Sequence, residues 1–185
     1  DCIGSQLAIA FALKNQGKKV TVFTQDEMPE KLAFLDPNKI ITGPRKTKHY
    51  DCVLVADCAS YERMGPICDS VSRRDLLINI DHHNSNSRYG DINWVDPKSA
   101  SSGELVFRLF KQANWPITPP IADCLFTAIS TDTGSFQYAT TRPSTYMIAA
   151  ELVKRGANLS RICEEVYQSY PLSRVKLQRH MYNSF

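Results

Sequence analysis

The chain has 185 residues, enough for one domain with a sizeable hydrophobic core. Its hydrophobic content of 43% and charged content of 22% are ordinary for a folded domain, and a net charge of +3 is too small to indicate nucleic-acid binding by itself. Because no apolar run is long enough to cross a bilayer and no signal peptide precedes the first helix, we expect a cytoplasmic protein without membrane contact.

Six cysteines are spread along the chain, and no two of them form a C-x-x-C pair. This spacing argues against a zinc site built from thiolates. Most of the cysteines lie inside apolar runs, as small core residues do, so we expect reduced, buried thiols.

The first half of the chain alternates helical patterns with short apolar runs. The predicted elements are a helix over residues 5–15, a strand over 19–23, one helical turn over 31–35, a polar loop over 42–49, strands over 52–56 and 76–80, and an interrupted short helix over 61–70 between them. Continuous apolar strands are covered on both faces, which is typical of parallel sheets.

The second half of the chain becomes helical. One further strand is predicted over residues 91–95, followed by helices over 102–113, 121–131, 145–155, 159–167 and 172–185, the first of them with Ser102 as its cap. This order predicts an α/β fold with a mainly parallel, Rossmann-like sheet, helices on both of its faces and a helical C-terminal end.

Acidic residues follow two of the predicted strands directly. These residues are Asp57 and Asp81, and Asp81 is followed at once by His82 and His83. In open α/β sheets, sites form outside the carboxyl ends of the strands. Since carboxylates and imidazoles bind divalent cations, the sequence predicts a metal site at this edge.

Two further carboxylates occupy suitable places. Asp1 stands just before Gly4 and Ser5 at the start of the first helix, and Asp132 lies where an apolar helix meets a turn containing glycine. A single aspartate in such a place usually caps a helix or turn. The combination of several such positions favours a site instead.

These segments, taken in order, resemble the DHH family of phosphoesterases. The resemblance rests on DCIGS at residues 1–5, VAD at 55–57, DHH at 81–83 and STDTGSF at 130–136. The nano-RNase/pAp-phosphatase branch of the family is the most similar, because of DHHNSN at 81–86, DINWVDP at 91–97 and SSGEL at 101–105.

The resemblance implies two Mn²⁺ ions side by side, with Mg²⁺ as an alternative. Asp1, Asp57, His82 and Asp132 would hold one ion, and Asp57 would bridge to a second ion whose other ligands would lie upstream of residue 1. A pair of divalent ions can stabilise both the attacking and the leaving oxygen of a phosphoester.

Two neighbouring residues receive roles from the same resemblance. His83 would contact the scissile phosphate or assist the leaving group, and Asp81 would orient an imidazole, as ligating histidines usually require. The family's basic residue after Phe136 is replaced here by Gln137. The positive charge could come from other residues instead, and the candidates are Arg88, Lys98 and Arg142.

The resemblance also predicts parts that lie outside these 185 residues. We expect residues 1–185 to form one catalytic domain truncated at both ends, without the start of the first motif or the family's C-terminal substrate-binding domain. On that basis we expect this stretch to be poorly active alone.

The predicted activity is hydrolysis of short oligonucleotides and of 3'-phosphoadenosine 5'-phosphate (pAp). The substrate would be short single-stranded RNA or DNA or a nucleotide, and a homodimer is allowed. Three other activities of the fold stay open: single-strand exonuclease, cyclic-dinucleotide phosphodiesterase and inorganic pyrophosphatase. A non-catalytic metal-binding derivative is the alternative of another class.

Overall fold

Seven short strands, all paired in parallel, form the β-structure of the protein. The computed structural model describes all residues from 1 to 185. The strands are β1 (Val22–Phe23), β2 (Ile41–Thr42), β3 (His49–Tyr50), β4 (Val53–Ala56), β5 (Arg73–Arg74), β6 (Leu77–Asp81) and β7 (Ile92–Val95).

Helices account for most of the remaining regular structure. They are α1 (Cys2–Asn15), α2 (Ile67–Ser70), α3 (Ser102–Gln112), α4 (Pro119–Asp132), α5 (Pro143–Lys154), α6 (Leu159–Cys163) and α7 (Leu172–Tyr182). Short 3₁₀ turns cover Glu30–Leu35 and Tyr61–Met64, and a π-helical turn over Glu164–Gln168 follows α6. None of these helices has the length and apolar character that crossing a membrane requires.

The main sheet consists of β4, β6 and β7, with β6 in the centre. Its register places Ala56 beside Ile80, and Ile80 beside Trp94. The predicted strands over 52–56, 76–80 and 91–95 are therefore confirmed to within one residue at each end. Because β4 and β6 run parallel, their carboxyl ends meet at the same edge of the sheet.

The two faces of this sheet are covered to different depths. Leu54 and Ala56 of β4 join the large apolar core that α1, α3 and α4 build on one face. Val55 and Leu77 point to the other face, where Met64 of a 3₁₀ turn packs on them in a small cluster. The expectation of helices on both faces is confirmed, although the second face carries only short helical segments.

Close approach of three helices brings their ends together. A methyl group at Gly4 of α1 would collide with the carbonyl oxygen of Cys124 in α4, and one at Gly103 of α3 would lie 2.8 Å from the Cβ of Ala128. Glycine at these two positions lets α1 and α3 pack against α4 at backbone contact distance. The start of α1, the start of α3 and the end of α4 can therefore meet at one place.

Several sequence predictions need correction. Only Val22–Phe23 of the predicted strand 19–23 is extended, and this segment pairs with β2, whereas β3 pairs with β5, so the expected single sheet is three separate sheets. Both β2 and β3 take a residue from the predicted loop 42–49. A two-residue strand makes so few ladder contacts that no hydrophobic alternation marks it in the sequence.

Smaller corrections concern the helix ends and the cysteines. The cap of α3 is Ser101, whose side chain accepts a hydrogen bond from the amide of Glu104, whereas Ser102 is already helical. The first helix begins at Cys2 rather than at residue 5. All six cysteines are free as expected, but only Cys124 is fully buried and Cys52 is exposed.

Candidate metal centre

Strand ends deliver one half of the candidate site. Asp57 follows β4, Asp81 is the last residue of β6, and His82 and His83 come next. The amide of Asp57 continues the ladder by donating to the carbonyl of Ile80 at 2.9 Å, yet its backbone adopts a φ of +61°. This left-handed conformation is uncommon outside glycine, and it ends the extended backbone of β4 at Asp57.

Helix ends deliver the other half. Asp1 precedes α1, and its carboxylate accepts hydrogen bonds from the amides of Ser102 at 2.7 Å and Gly103 at 3.0 Å, which open α3. Ser5 donates its hydroxyl to the same carboxylate at 2.8 Å. Asp132 is the last residue of α4. The positive end of the α3 dipole stabilises the negative charge of the Asp1 carboxylate, which lies at the start of that helix.

His82 lies in the middle of these carboxylates. Its Nε2 atom is 3.2 Å from Oδ2 of Asp132, 3.6 Å from Oδ1 of Asp57 and 3.8 Å from Oδ2 of Asp1. The other ring nitrogen, Nδ1, is 3.3 Å from the carbonyl of Ser99, which can only accept a hydrogen bond, so Nδ1 carries the proton. Nε2 then presents a lone pair, and it is buried without a hydrogen-bond partner.

A divalent cation fits this arrangement. An orphaned buried nitrogen is rare in native proteins, and three carboxylates around it repel one another unless positive charge lies among them. Burial raises the pKa of Asp132, and the nearby Asp57 carboxylate raises it further against the opposing effect of His82. Oxygen and imidazole ligands in this number suit a divalent ion such as Mn²⁺, Mg²⁺ or Zn²⁺.

His83 is held differently from its neighbour. Its Nδ1 atom lies 2.7 Å from Oδ1 of Asp81, whose side chain has no exposed surface. The other oxygen of Asp81 accepts from the side-chain amide of Asn86 at 2.6 Å. Because the carboxylate accepts at Nδ1, Nε2 of His83 is left free, on a side chain that is 38% exposed.

The structure therefore brings all six predicted site residues into one region. The ligand atoms of Asp57, His82 and His83 lie within 4.8 Å of one another, and so do those of Asp1, His82 and Asp132. No ion pair joins a site carboxylate to any of the candidate cations Arg88, Lys98 and Arg142, and their contact with a substrate phosphate stays a prediction. Gln137 is exposed.

Sequence reasoning missed the residues that support the ligands. Ser102 donates its hydroxyl to Oδ1 of Asp57 at 3.1 Å, whereas the sequence predicts only a helix cap at this position. Asn86 and the carbonyl of Ser99 had no predicted role. The serine pair preceding Glu104 was the available signal, because only one of two adjacent serines can cap the helix.

A second group of the same residue types lies on the β3–β5 ribbon. His49, Asp51 and Asp75 also have potential ligand atoms within 4.8 Å of one another, but all three are exposed. Nε2 of His49 already has a partner in Oδ1 of Asp75 at 2.9 Å.

The sequence Asp81-His82-His83 thus stands at the end of β6, the central strand of the main parallel sheet. Residues 1–129 match the DHH family, N-terminal domain, and the chain belongs to that family. This match confirms the resemblance to the DHH family that the sequence motifs indicated.

Two relatives with assigned names are similar to this chain over most of its length. The chain is 34% identical over 167 residues to the bifunctional oligoribonuclease and PAP phosphatase NrnA of Thermus thermophilus, an alignment covering 90% of this chain and 50% of that protein. It is 26% identical to the protein of the same name from Bacillus subtilis, with 100% of this chain and 58% of that protein covered. The chain thus spans about half the length of the curated relatives that it matches.

A solved structure confirms the α/β fold. The crystal structure of an exopolyphosphatase-related protein from Bacteroides fragilis superposes with a TM-score of 0.88 at 28% identity. That superposition covers 99% of this chain and 57% of the other.

Proposed function

We propose that the protein is a Mn²⁺-dependent phosphoesterase that hydrolyses short oligonucleotides and removes a phosphate from pAp. The observation that carries the proposal is the buried, unpartnered Nε2 of His82 among three carboxylates. The names of the relatives from Thermus thermophilus and Bacillus subtilis support the choice of substrates.

Four residues would hold one metal ion. They are the residues that converge on the free nitrogen of the first histidine, namely Asp1, Asp57, His82 and Asp132. Asp57 faces both histidines, since its Oδ1 lies 3.6 Å from Nε2 of His82 and 3.8 Å from Nδ1 of His83. The family resemblance assigns Asp57 as the residue shared with a second ion, and its place beside both histidines at the strand ends leaves it available for that role. When bound, divalent ions provide Lewis acidity toward phosphate oxygens and water.

His83 would act on the substrate itself. Asp81 holds its Nδ1–H, which fixes the tautomer and leaves Nε2 free on a side chain that is 38% exposed. From there Nε2 can accept a hydrogen bond or, when the ring is protonated, donate a proton to the leaving oxygen of a phosphoester. Asp81 is too buried to reach a substrate, so its role would be to orient His83.

We also propose that residues 1–185 act as one catalytic domain, because α4 packs on α1, α3, α5 and α6 and joins the helical end to the site.

Six free cysteines support a cytoplasmic location, where disulfides are rare. A short single-stranded RNA or DNA or a nucleotide remains the proposed substrate, and a homodimer the proposed assembly.

A comparison of substrates tests this function. The whole protein should be assayed with Mn²⁺ on a dinucleotide, on pAp, on pyrophosphate and on a cyclic dinucleotide. We expect turnover of the first two to be at least tenfold faster than that of the others. Preferential hydrolysis of pyrophosphate or of the cyclic dinucleotide would instead assign one of the other activities of this fold, and no metal-dependent turnover at all would favour a binding protein.

A further inference from the structure

A buried carboxyl group lies behind the metal centre without facing it. Glu104, in the first turn of α3, has 1% of its surface exposed. We propose that Glu104 is a positioning residue that aligns the metal ligands by holding the segment from Ser99 to Gly103. This inference rests on the proposed metal centre and not on the identity of the substrate.

One connection runs from Glu104 to His82. Oε2 of Glu104 accepts hydrogen bonds from the hydroxyl of Ser99 at 3.0 Å and from the amide of Ala100 at 3.3 Å. The carbonyl of Ser99 in turn accepts from Nδ1 of His82 at 3.3 Å. The carboxyl group thus fixes the acceptor that sets the tautomer and the ring orientation of His82, as partners of ligating histidines do.

A second connection runs to the aspartates. The amide of Glu104 donates to the hydroxyl of Ser101 at 3.2 Å, which closes the first turn of α3. Ser102, which follows Ser101 in the chain, donates its amide to Asp1 at 2.7 Å and its hydroxyl to Asp57 at 3.1 Å. The turn that Ser101 caps through the backbone of Glu104 therefore presents donors to two of the carboxylates, and the Glu104 side chain holds the residues just before it.

The surroundings of Glu104 make a purely structural role costly. Arg108 reaches Oε2 at 3.4 Å from a partly exposed position and also pairs with Asp96 at 3.2 Å. The other oxygen, Oε1, is buried without any partner. Burying a carboxyl group with one oxygen unsatisfied opposes folding, and an apolar side chain of similar size would avoid that cost. Alignment of the ligands gives a local reason for an acidic residue here.

The replacement Glu104→Gln tests the proposal, because it keeps the size of the side chain and disturbs its set of acceptors. We expect calorimetric titration of the whole protein to show Mn²⁺ affinity reduced by roughly tenfold or more, the range for partners of metal ligands. Turnover should recover to within a few-fold at saturating Mn²⁺. The matched control is Glu151→Gln, since Glu151 pairs with Arg155 on the outside of α5 and should leave the affinity unchanged.

A milder variant covers the case in which Glu104→Gln does not fold. Ser99→Ala leaves Glu104 in place and removes its hydroxyl partner, together with the bond from that hydroxyl to the carbonyl of Ser101 at 3.0 Å. It should weaken Mn²⁺ binding in the same direction by a smaller factor. Circular dichroism and the melting temperature separate these effects from a general loss of folding. Folded variants at both positions whose Mn²⁺ affinity stays within twofold of the unaltered protein would overturn the positioning role.

The same titration distinguishes this inference from the proposed function. Weaker Mn²⁺ binding in Glu104→Gln, with a parent protein that binds Mn²⁺ but leaves dinucleotides intact, would support the positioning role and overturn the substrate. A parent protein that hydrolyses dinucleotides while Glu104→Gln binds Mn²⁺ normally would do the reverse. A parent protein without measurable Mn²⁺ binding would overturn both.

Discussion

Two groups of histidine and aspartate in this protein bring their ligand atoms equally close together but differ in their surroundings. Around His82, ligand atoms converge in a partly buried place at the ends of β4, β6 and α4. Around His49, an equally close group stands on the exposed β3–β5 ribbon. The side chains of His49 and Asp75 are 53% and 65% exposed.

The difference teaches that proximity alone does not define a metal site. His49 pairs directly with Asp75 at 2.9 Å, so its imidazole needs nothing further, and water solvates the rest. His82 has its Nδ1 fixed by a carbonyl and its Nε2 left without a partner inside a ring of carboxylates. Burial and an unmet bonding requirement separate the candidate site from an ordinary surface group.

Replacement of Asp57 by alanine should have the largest effect. Because Asp57 lies between the two histidines and would serve both ions, we expect Mn²⁺-dependent turnover of a dinucleotide to fall by about three orders of magnitude, or about 4 kcal/mol of barrier. Steady-state assays across a Mn²⁺ series give the measurement. Near-normal activity in a folded Asp57→Ala protein would contradict the two-metal assignment.

Replacement of Asp81 by asparagine should have an intermediate effect. The new side chain could still accept from His83 through its amide oxygen, but without the charge that holds the imidazole. We expect a loss of about 10- to 100-fold in kcat with little change in Mn²⁺ affinity, as for other partners that orient a functional imidazole. A loss equal to that of Asp57→Ala would mean that Asp81 contacts the metal or the substrate.

Replacement of Asp132 by asparagine should stabilise the metal-free protein slightly. Burial, together with Asp57, raises the pKa of Asp132, so its ionisation opposes folding as the pH rises through that raised pKa. At neutral pH we expect a melting temperature about 2 °C higher, which corresponds to less than 1 kcal/mol in a domain of this size. The difference should vanish below about pH 4, where aspartate is protonated even in the unfolded chain.

Calorimetry in the presence of a chelator measures this shift, and added Mn²⁺ should reverse the order of the two proteins. A metal-free Asp132→Asn protein that melts lower than its parent at neutral pH would show that Asp132 stabilises the fold by itself. The carboxylates would then need no cation to coexist.

Replacement of His49 by alanine should have the smallest effect. The His49–Asp75 pair is exposed, so we expect stability to change by less than about 0.5 kcal/mol and Mn²⁺ affinity to stay the same. Denaturant unfolding and Mn²⁺ titration check both values. If this variant lost Mn²⁺ binding, the contrast between the two groups would disappear.

The sequence predicted the parts of the fold that follow strong local rules. The apolar runs before Asp57 and Asp81 marked buried parallel strands, and adjacent parallel strands must end at the same edge. The apolar periodicity of α3 and the long apolar run of α4 were equally visible. These rules were enough to predict that the candidate ligands lie at one edge of the sheet.

The contacts that support the site and the shortest strands depend on segments far apart in the chain, and a single sequence does not show which distant segments meet. The amide of Ser102 reaches Asp1 across 101 positions of the chain, and its hydroxyl reaches Asp57 across 45. Two-residue strands such as β3 and β5 form because neighbouring segments hold them side by side, so their polar sequence gives no sign of them.

The left-handed backbone of Asp57 has a consequence for how this position tolerates change. Glycine would adopt a φ of +61° without the strain of about 1 kcal/mol that a residue with a side chain incurs. Only an acidic side chain, however, supplies the proposed shared oxygen. A library of all substitutions at position 57 should therefore rank glycine above aspartate in a screen for abundance and rank aspartate alone at the top in a screen for activity, so that the two screens place these two residues in opposite order.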